Sequence, residues 1–174
     1  MEQFSRRAAI GVIAFGLAGC GGRRERRKEK RRNRRAGRAA TSAAPSQGSS
    51  RALYPNETPA LRKLIVKWAN HYDVPVDLVQ RLVVRESTHR PSARNGLYWG
   101  LMQISVPTAR SMGFKGDPTD LLDADTNLRY SVRYLRGAWL VSDGSYDQAV
   151  KWYSRGYYYE AKKRGLLKET GLVN

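Results

Sequence analysis

Residues 79–87 read Val79-Gln80-Arg81-Leu82-Val83-Val84-Arg85-Glu86-Ser87, with Val79, Leu82 and Val83 seven, four and three positions ahead of Glu86. On a helix these four side chains share one face, and Arg81 and Arg85 turn away from it toward water. The pattern predicts an amphipathic helix whose apolar stripe ends on a lone carboxylate. A carboxylate placed there loses hydration, and its charged form loses most, so its pKa is expected to rise. A proton retained near neutral pH is what a general acid requires. The same spacing also fits a structural carboxylate at the rim of a core, and periodicity alone does not separate the two readings.

Outward from this stretch the chain continues in helical periods. Asp73-Val74-Pro75 interrupts the pattern ahead of it, and Pro91 is expected to end it. Upstream, Thr58-Pro59 reads as an N-cap followed by proline at the first helical position. Leu61, Leu64, Ile65, Trp68 and Tyr72 then form one stripe, read as core packing. Downstream, Asn95-Gly96 is a turn dipeptide, with a short ribbon expected near Leu97 to Gln103. Pro107 to Met112 reads as a short helix stopped by Gly113. Asp125 is expected to cap a helix running to about Val141, with Leu128, Val132, Leu135 and Trp139 inward. Ser145-x-x-Gln148 has the form of a capping box and opens a helix to Tyr153. Gly156 interrupts, and Tyr157 to Arg164 forms a last piece stopped by Gly165. Tyr157, Tyr158 and Tyr159 cannot all face one way on a helix, so some must be exposed. The expected fold class is mostly α, a compact helical domain over residues 53–174.

The 174 residues suffice for one domain with a core. The net charge of +17 is unevenly spread: residues 1–50 hold 13 Lys+Arg against 3 acidic residues, the rest 19 against 12. One cysteine excludes an internal disulfide, and two histidines with it give no basis for a metal site. No cofactor is expected.

Residues 1–20 read as a targeting segment. Arg6 and Arg7 supply the positive start, Ala8 to Leu17 is an apolar run too short to span a bilayer, and Leu17-Ala18-Gly19-Cys20 resembles a bacterial lipobox. Cys20, the chain's single cysteine, is thus a candidate lipidation site, and several acyl chains on one residue give stable anchoring. Ser5-Arg6-Arg7 also resembles a twin-arginine export signal, with Ala9 replacing the usual Phe. Residues 21–52 form a linker. Its basic run from Arg23 to Arg38, lacking aromatics and any apolar stripe, is expected to be disordered. Beside a lipidated cysteine it would lie against anionic headgroups, so no nucleic acid partner is expected. The small-residue segment Ala39 to Ser50 follows as a flexible spacer.

Glu86-Ser87-x-x-x-Pro91-x-Ala93 followed by Gly100-Leu101-Met102-Gln103-Ile104 resembles the lytic transglycosylase domain of the soluble, goose-lysozyme-like kind. Asp120-Leu121-Leu122-Asp123-x-x-x-Asn127 and Tyr134-Leu135 continue the resemblance, which covers about Leu64 to Tyr159. Each tetrapeptide is a weak signal, but several in order at matching spacing are a strong one. The resemblance implies a lysozyme-like fold, peptidoglycan strands as substrate and Glu86 as the catalytic residue. It further implies contacts to the sugar from Ser87, from Gln103, and from the backbone around Gly100 and Met102. Gly100 lets a ligand approach the backbone closely. Met102 is either an adaptable cleft wall or ordinary core filling. The family's third motif, Ala-Tyr-Asn, corresponds to Trp152-Tyr153-Ser154. Tyr153 matches and its phenol could orient Glu86, while Ser154 stands in place of Asn.

Hydrolytic glycosidases normally need two carboxylates, and no acidic residue follows Glu86 until Asp117. The family uses one glutamate twice, first as acid and then as base, and releases a 1,6-anhydro product. The expectation is therefore a lytic transglycosylase tethered by lipid in a bacterial envelope, on an outer membrane and facing the periplasm. Two alternatives stand beside it. One is a lysozyme- or chitinase-type hydrolase, whose second carboxylate would be Asp117, Asp120 or Asp123. The other is a non-catalytic glycan-binding lipoprotein.

Overall fold

The computed structural model describes residues 51–173. Cys20, the lipobox and the basic run expected to be disordered lie outside the described residues. Within them the chain is mostly helical, as expected, and no helix is long and apolar enough to cross a membrane.

Helix α1 (Pro59–His71) starts on Thr58, whose hydroxyl accepts from the Leu61 amide at 3.1 Å. Helix α2 (Val76–Ser87) carries Glu86. Three two-residue strands follow: β1 (Arg94–Asn95), β2 (Tyr98–Trp99) and β3 (Ile104–Ser105), an antiparallel sheet in that order. The span expected to hold a ribbon, Leu97 to Gln103, contains only β2; its partners β1 and β3 lie just outside it. Helix α3 (Val106–Ser111), a 3-10 turn (Pro118–Leu122), α4 (Ala124–Leu140), α5 (Tyr146–Arg155) and α6 (Tyr158–Arg164) complete the fold.

The stripes read from the sequence are mostly buried, with Leu64, Tyr72 and Trp139 only partly so, packed against the core. Leu61, Ile65 and Trp68 of α1, Val79, Leu82 and Val83 of α2, and Leu128, Val132 and Leu135 of α4 share one core with Tyr153 and Tyr157. A second cluster of Trp99, Ile104, Ala109, Phe114 and Leu121 lies under the sheet and α3. Of the three consecutive tyrosines, Tyr157 is buried, while Tyr158 and Tyr159 are exposed. Tyr157 packs directly on α4 at Gly137, where a Cβ would come within 2.6 Å of the phenol ring.

Two local expectations are corrected. Helix α2 ends at Ser87 rather than at Pro91, because Thr88 and His89 both take left-handed backbone at φ 51° and 59°. The cap of α4 is Asp123, whose carboxylate accepts from the Thr126 amide at 2.8 Å. Asp125 instead accepts from Lys67 and the Trp68 indole, each at 2.8 Å, tying α4 to α1. Ser145 does cap α5, accepting from the Gln148 amide.

The left-handed turn after α2 is locked from the other side of the chain. His89 is buried, stacks on Tyr54 and meets Gln80 Oε1 at 2.7 Å. Gln80 donates in turn to Glu57, which also accepts from Arg62 and from the Tyr54 amide. Asn56 donates to the Thr88 carbonyl at 3.0 Å. Burial holds the His89 imidazole below its usual pKa, which disfavours its charged form. The carboxylate bearer, one turn upstream, is thereby fixed at the end of its helix.

Candidate active site

Glu86 reaches the surface at the end of the buried α2 stripe, with its side chain 22 % exposed. Burial pushes its pKa above the usual carboxylate range. The Arg85 guanidinium, 3.4 Å away and largely in water, pulls the other way and wins less. This is the environment the apolar stripe predicted: a carboxyl group that keeps its proton to higher pH.

A cleft of about 280 Å³ lies between two layers of the domain. Tyr98, Gln103, Ile104, Ser105 and Thr108 line it from the sheet and α3. Tyr134, Tyr153, Ser154, Arg155 and Gly156 line it from α4 and α5. Glu86 is not in this wall. Tyr153 connects the two, since it lines the cleft and the Glu86 charge acts on its phenol, whose pKa is raised chiefly by burial. No Asp or Glu is among these ten lining residues. Asp117, Asp120 and Asp123 are exposed, and two of them serve the backbone. Asp120 accepts from the Asp117 amide and Asp123 caps α4.

The remaining residues singled out by sequence take different positions. Gln103 sits in left-handed backbone at φ 47° and lines the cleft. Its amide donates to the carbonyls of Ala93 at 3.1 Å and Gly100 at 2.9 Å. The side chain is thus held rigid with its amide oxygen left over as an acceptor. Ser87 is buried, and its hydroxyl donates to the Val83 carbonyl one turn back. Met102 has a fully buried side chain in the main core, so it fills the interior and forms no cleft wall. Its backbone matters more: the Tyr153 hydroxyl donates to its carbonyl at 2.9 Å. The phenol proton is therefore committed to Met102, not to Glu86, and Tyr153 orients the Gly-Leu-Met-Gln turn. Ser154, standing where the family has Asn, donates back to the Val150 carbonyl at 3.1 Å.

Gly100 is also corrected in its reason. Its φ is 70°, and a Cβ there would sit 2.2 Å from the Leu121 carbonyl oxygen and 2.3 Å from Asn127 Nδ2. What approaches closely is the protein itself. Asn127, fully buried, donates to the carbonyls of Trp99 and Leu121 and accepts from the Met102 amide and the Ser131 hydroxyl. Its four hydrogen bonds pin the Gly100–Gln103 turn onto α4. In the sequence Asn127 only closes Asp-Leu-Leu-Asp-x-x-x-Asn, and no local pattern signals these four bonds.

The arrangement is a protonatable carboxyl on a braced helix end, next to a tyrosine-lined cleft holding an immobilised glutamine. Such a site can donate one proton and later accept one. The family model described as the transglycosylase SLT domain matches residues 63–168, from within α1 to beyond α6. No curated protein and no solved structure matches the chain. Since the matched span is well over half of the 174 residues and contains every element that builds the site, the chain belongs to the transglycosylase SLT domain family.

Proposed function

We propose that the domain cleaves the β-1,4 bond between N-acetylmuramic acid and N-acetylglucosamine in peptidoglycan, with Glu86 acting as acid and then base. Family membership carries lytic transglycosylase function in general, with peptidoglycan in the cell envelope as substrate. The finer reading rests on one observation: a half-buried glutamate with a raised pKa beside a cleft that has no second carboxylate in its walls.

The protonated Glu86 gives its proton to the glycosidic oxygen as the C1–O bond breaks. Electron density from the substrate's own N-acetyl oxygen supports C1 in place of an enzymic nucleophile. Glu86, now a carboxylate, takes the proton of the muramoyl C6 hydroxyl, and O6 bonds to C1. Glu86 returns to its starting state and no water is consumed. Gln103 offers its free amide oxygen to a sugar hydroxyl or amide. The backbone from Gly100 to Met102, held by Asn127 and Tyr153, shapes the floor, and Ser87 stabilises the helix end below Glu86. Mass spectrometry of products from purified sacculi tests this. Muropeptides one water lighter than those of a lysozyme digest are expected, and reducing-end products carrying that water would overturn the anhydro reading in favour of hydrolysis.

We further read Cys20 as the lipidated first residue of the mature protein, anchored in an outer membrane with the domain in the periplasm. Gly21 lacks the aspartate that marks inner-membrane retention in many Gram-negative bacteria. The basic run would rest on anionic headgroups. Cys20→Ser is expected to move the protein from the detergent phase to the soluble fraction. A variant that partitions as wild type would transfer the anchoring role to the basic run.

A further inference from the structure

We propose that Arg155 is a specificity residue that selects glycan strands bearing a carboxylate beside the cleavage site, with Trp152 as its support. This deepens the reading of the domain as a glycan-cleaving enzyme and rests on it. Arg155 is the last residue of α5 and lines the cleft. Among the ten lining residues it is the single Lys or Arg, and no carboxylate faces it there. Among the described residues its guanidinium has no ion-pair partner, a state it shares with several surface arginines, but it is the one of them that lines the cleft. It lies 5.9 Å from the ring centroid of Trp152, three residues back on the same helix face.

Trp152 stands where the family motif has alanine, and a methyl group could not carry a guanidinium. The indole is partly buried against the core, so it offers a fixed shelf. A cation over an indole face is attracted by the ring. Holding it there leaves the planar fork of donors open on the cleft side. Such a fork pairs with a carboxylate through two parallel hydrogen bonds. Its place in the last turn of α5 also suits a cation facing the helix dipole, a role that leaves the donor fork free.

Chitin-type strands offer no anion to this fork. Muramoyl units do, either as the free lactyl carboxylate of a peptide-stripped strand or as the carboxylates of an attached stem peptide. The test compares wild type, Arg155→Ala and Arg155→Lys on peptide-bearing strands and on amidase-stripped strands. Chitohexaose serves as an uncharged ligand in a binding assay. Arg155→Ala is expected to raise KM about 5–10-fold with kcat unchanged, as for loss of one solvent-screened charge-assisted contact. Arg155→Lys should recover part of that loss, and chitohexaose affinity should not move.

A loss confined to stripped strands assigns the lactyl carboxylate, and one confined to peptide-bearing strands assigns the stem peptide. Wild-type kinetics for Arg155→Ala on both strands, or an equal loss of chitohexaose binding, would overturn the proposal. If wild type cleaves no strand, the enzymatic reading fails by itself. Strand affinities of wild type and Arg155→Ala, measured against chitohexaose, then decide on Arg155 separately.

Discussion

Glu86→Gln is expected to lower glycan cleavage by at least about 10²-fold, the usual contribution of one general acid–base group, while strand binding persists. Glutamine keeps the size and polarity of the side chain and removes only the transferable proton. The substitution acts on both halves of the proposed reaction, and the cleft walls hold no second carboxylate to take over. Stability should not suffer. The folded-state pKa of Glu86 is raised by burial, so the folded protein binds more protons than the unfolded chain between the two pKa values. Folding therefore loses stability as pH rises through that window, and a neutral amide removes this cost. Thermal melts of the variant near neutral pH should match or exceed wild type. In wild type the initial proton transfer needs the protonated form, so the rate should fall as pH rises through the raised pKa. A variant that folds and still cleaves strands at wild-type rate would sink the assignment of Glu86.

Gly100→Ala should be the most damaging single-methyl change in the domain. Its φ of 70° costs an L-residue about 1–2 kcal/mol. The added Cβ would also meet the Leu121 carbonyl and the Asn127 amide at under 2.5 Å, and both are fixed by hydrogen bonds to each other. Forcing them apart adds about 1–3 kcal/mol of overpacking. Together this amounts to a drop in melting temperature of about 10 °C or more. Gly96→Ala is the control, because Gly96 also has positive φ, at 56°, but no atom within 4 Å of a Cβ. It should show only the smaller backbone cost. Equal melting temperatures for the two variants would mean that the Gly100–Asn127 contact carries no weight. Activity of Gly100→Ala should fall below what its folded fraction allows, because the displaced turn carries Gln103.

The helices and the half-buried setting of Glu86 were legible in the chain itself. The 3.6-residue period places i, i+3 and i+4 on one face regardless of what packs there. So Val79, Leu82, Val83 and the half-buried glutamate could be read from nine consecutive residues, as could the stripes of α1 and α4 and the caps at Thr58 and Ser145. The Glu-Ser and Gly-Leu-Met-Gln pair could be read as a family signature in the same way.

What the residues around Glu86 do was settled only by tertiary contacts. Hydrogen bonds between residues far apart in sequence leave no local period. The bracing of the α2 end through Glu57, Arg62, Gln80 and His89 joins positions up to 32 apart, and no single stretch announces it. Tyr153 sends its proton to the Met102 carbonyl 51 residues away rather than toward Glu86. Gly100 is small because Asn127 and Leu121 press on it, not because a ligand must. Met102 faces inward and Arg155 faces the cleft, although nothing in their spacing separates them. Even the α4 cap moved from Asp125 to Asp123, since Trp68 and Lys67 of another helix claimed the Asp125 carboxylate. Periodicity assigns a face to each helix, but the choice of which polar group meets which is made by packing, where each buried donor must find an acceptor within reach.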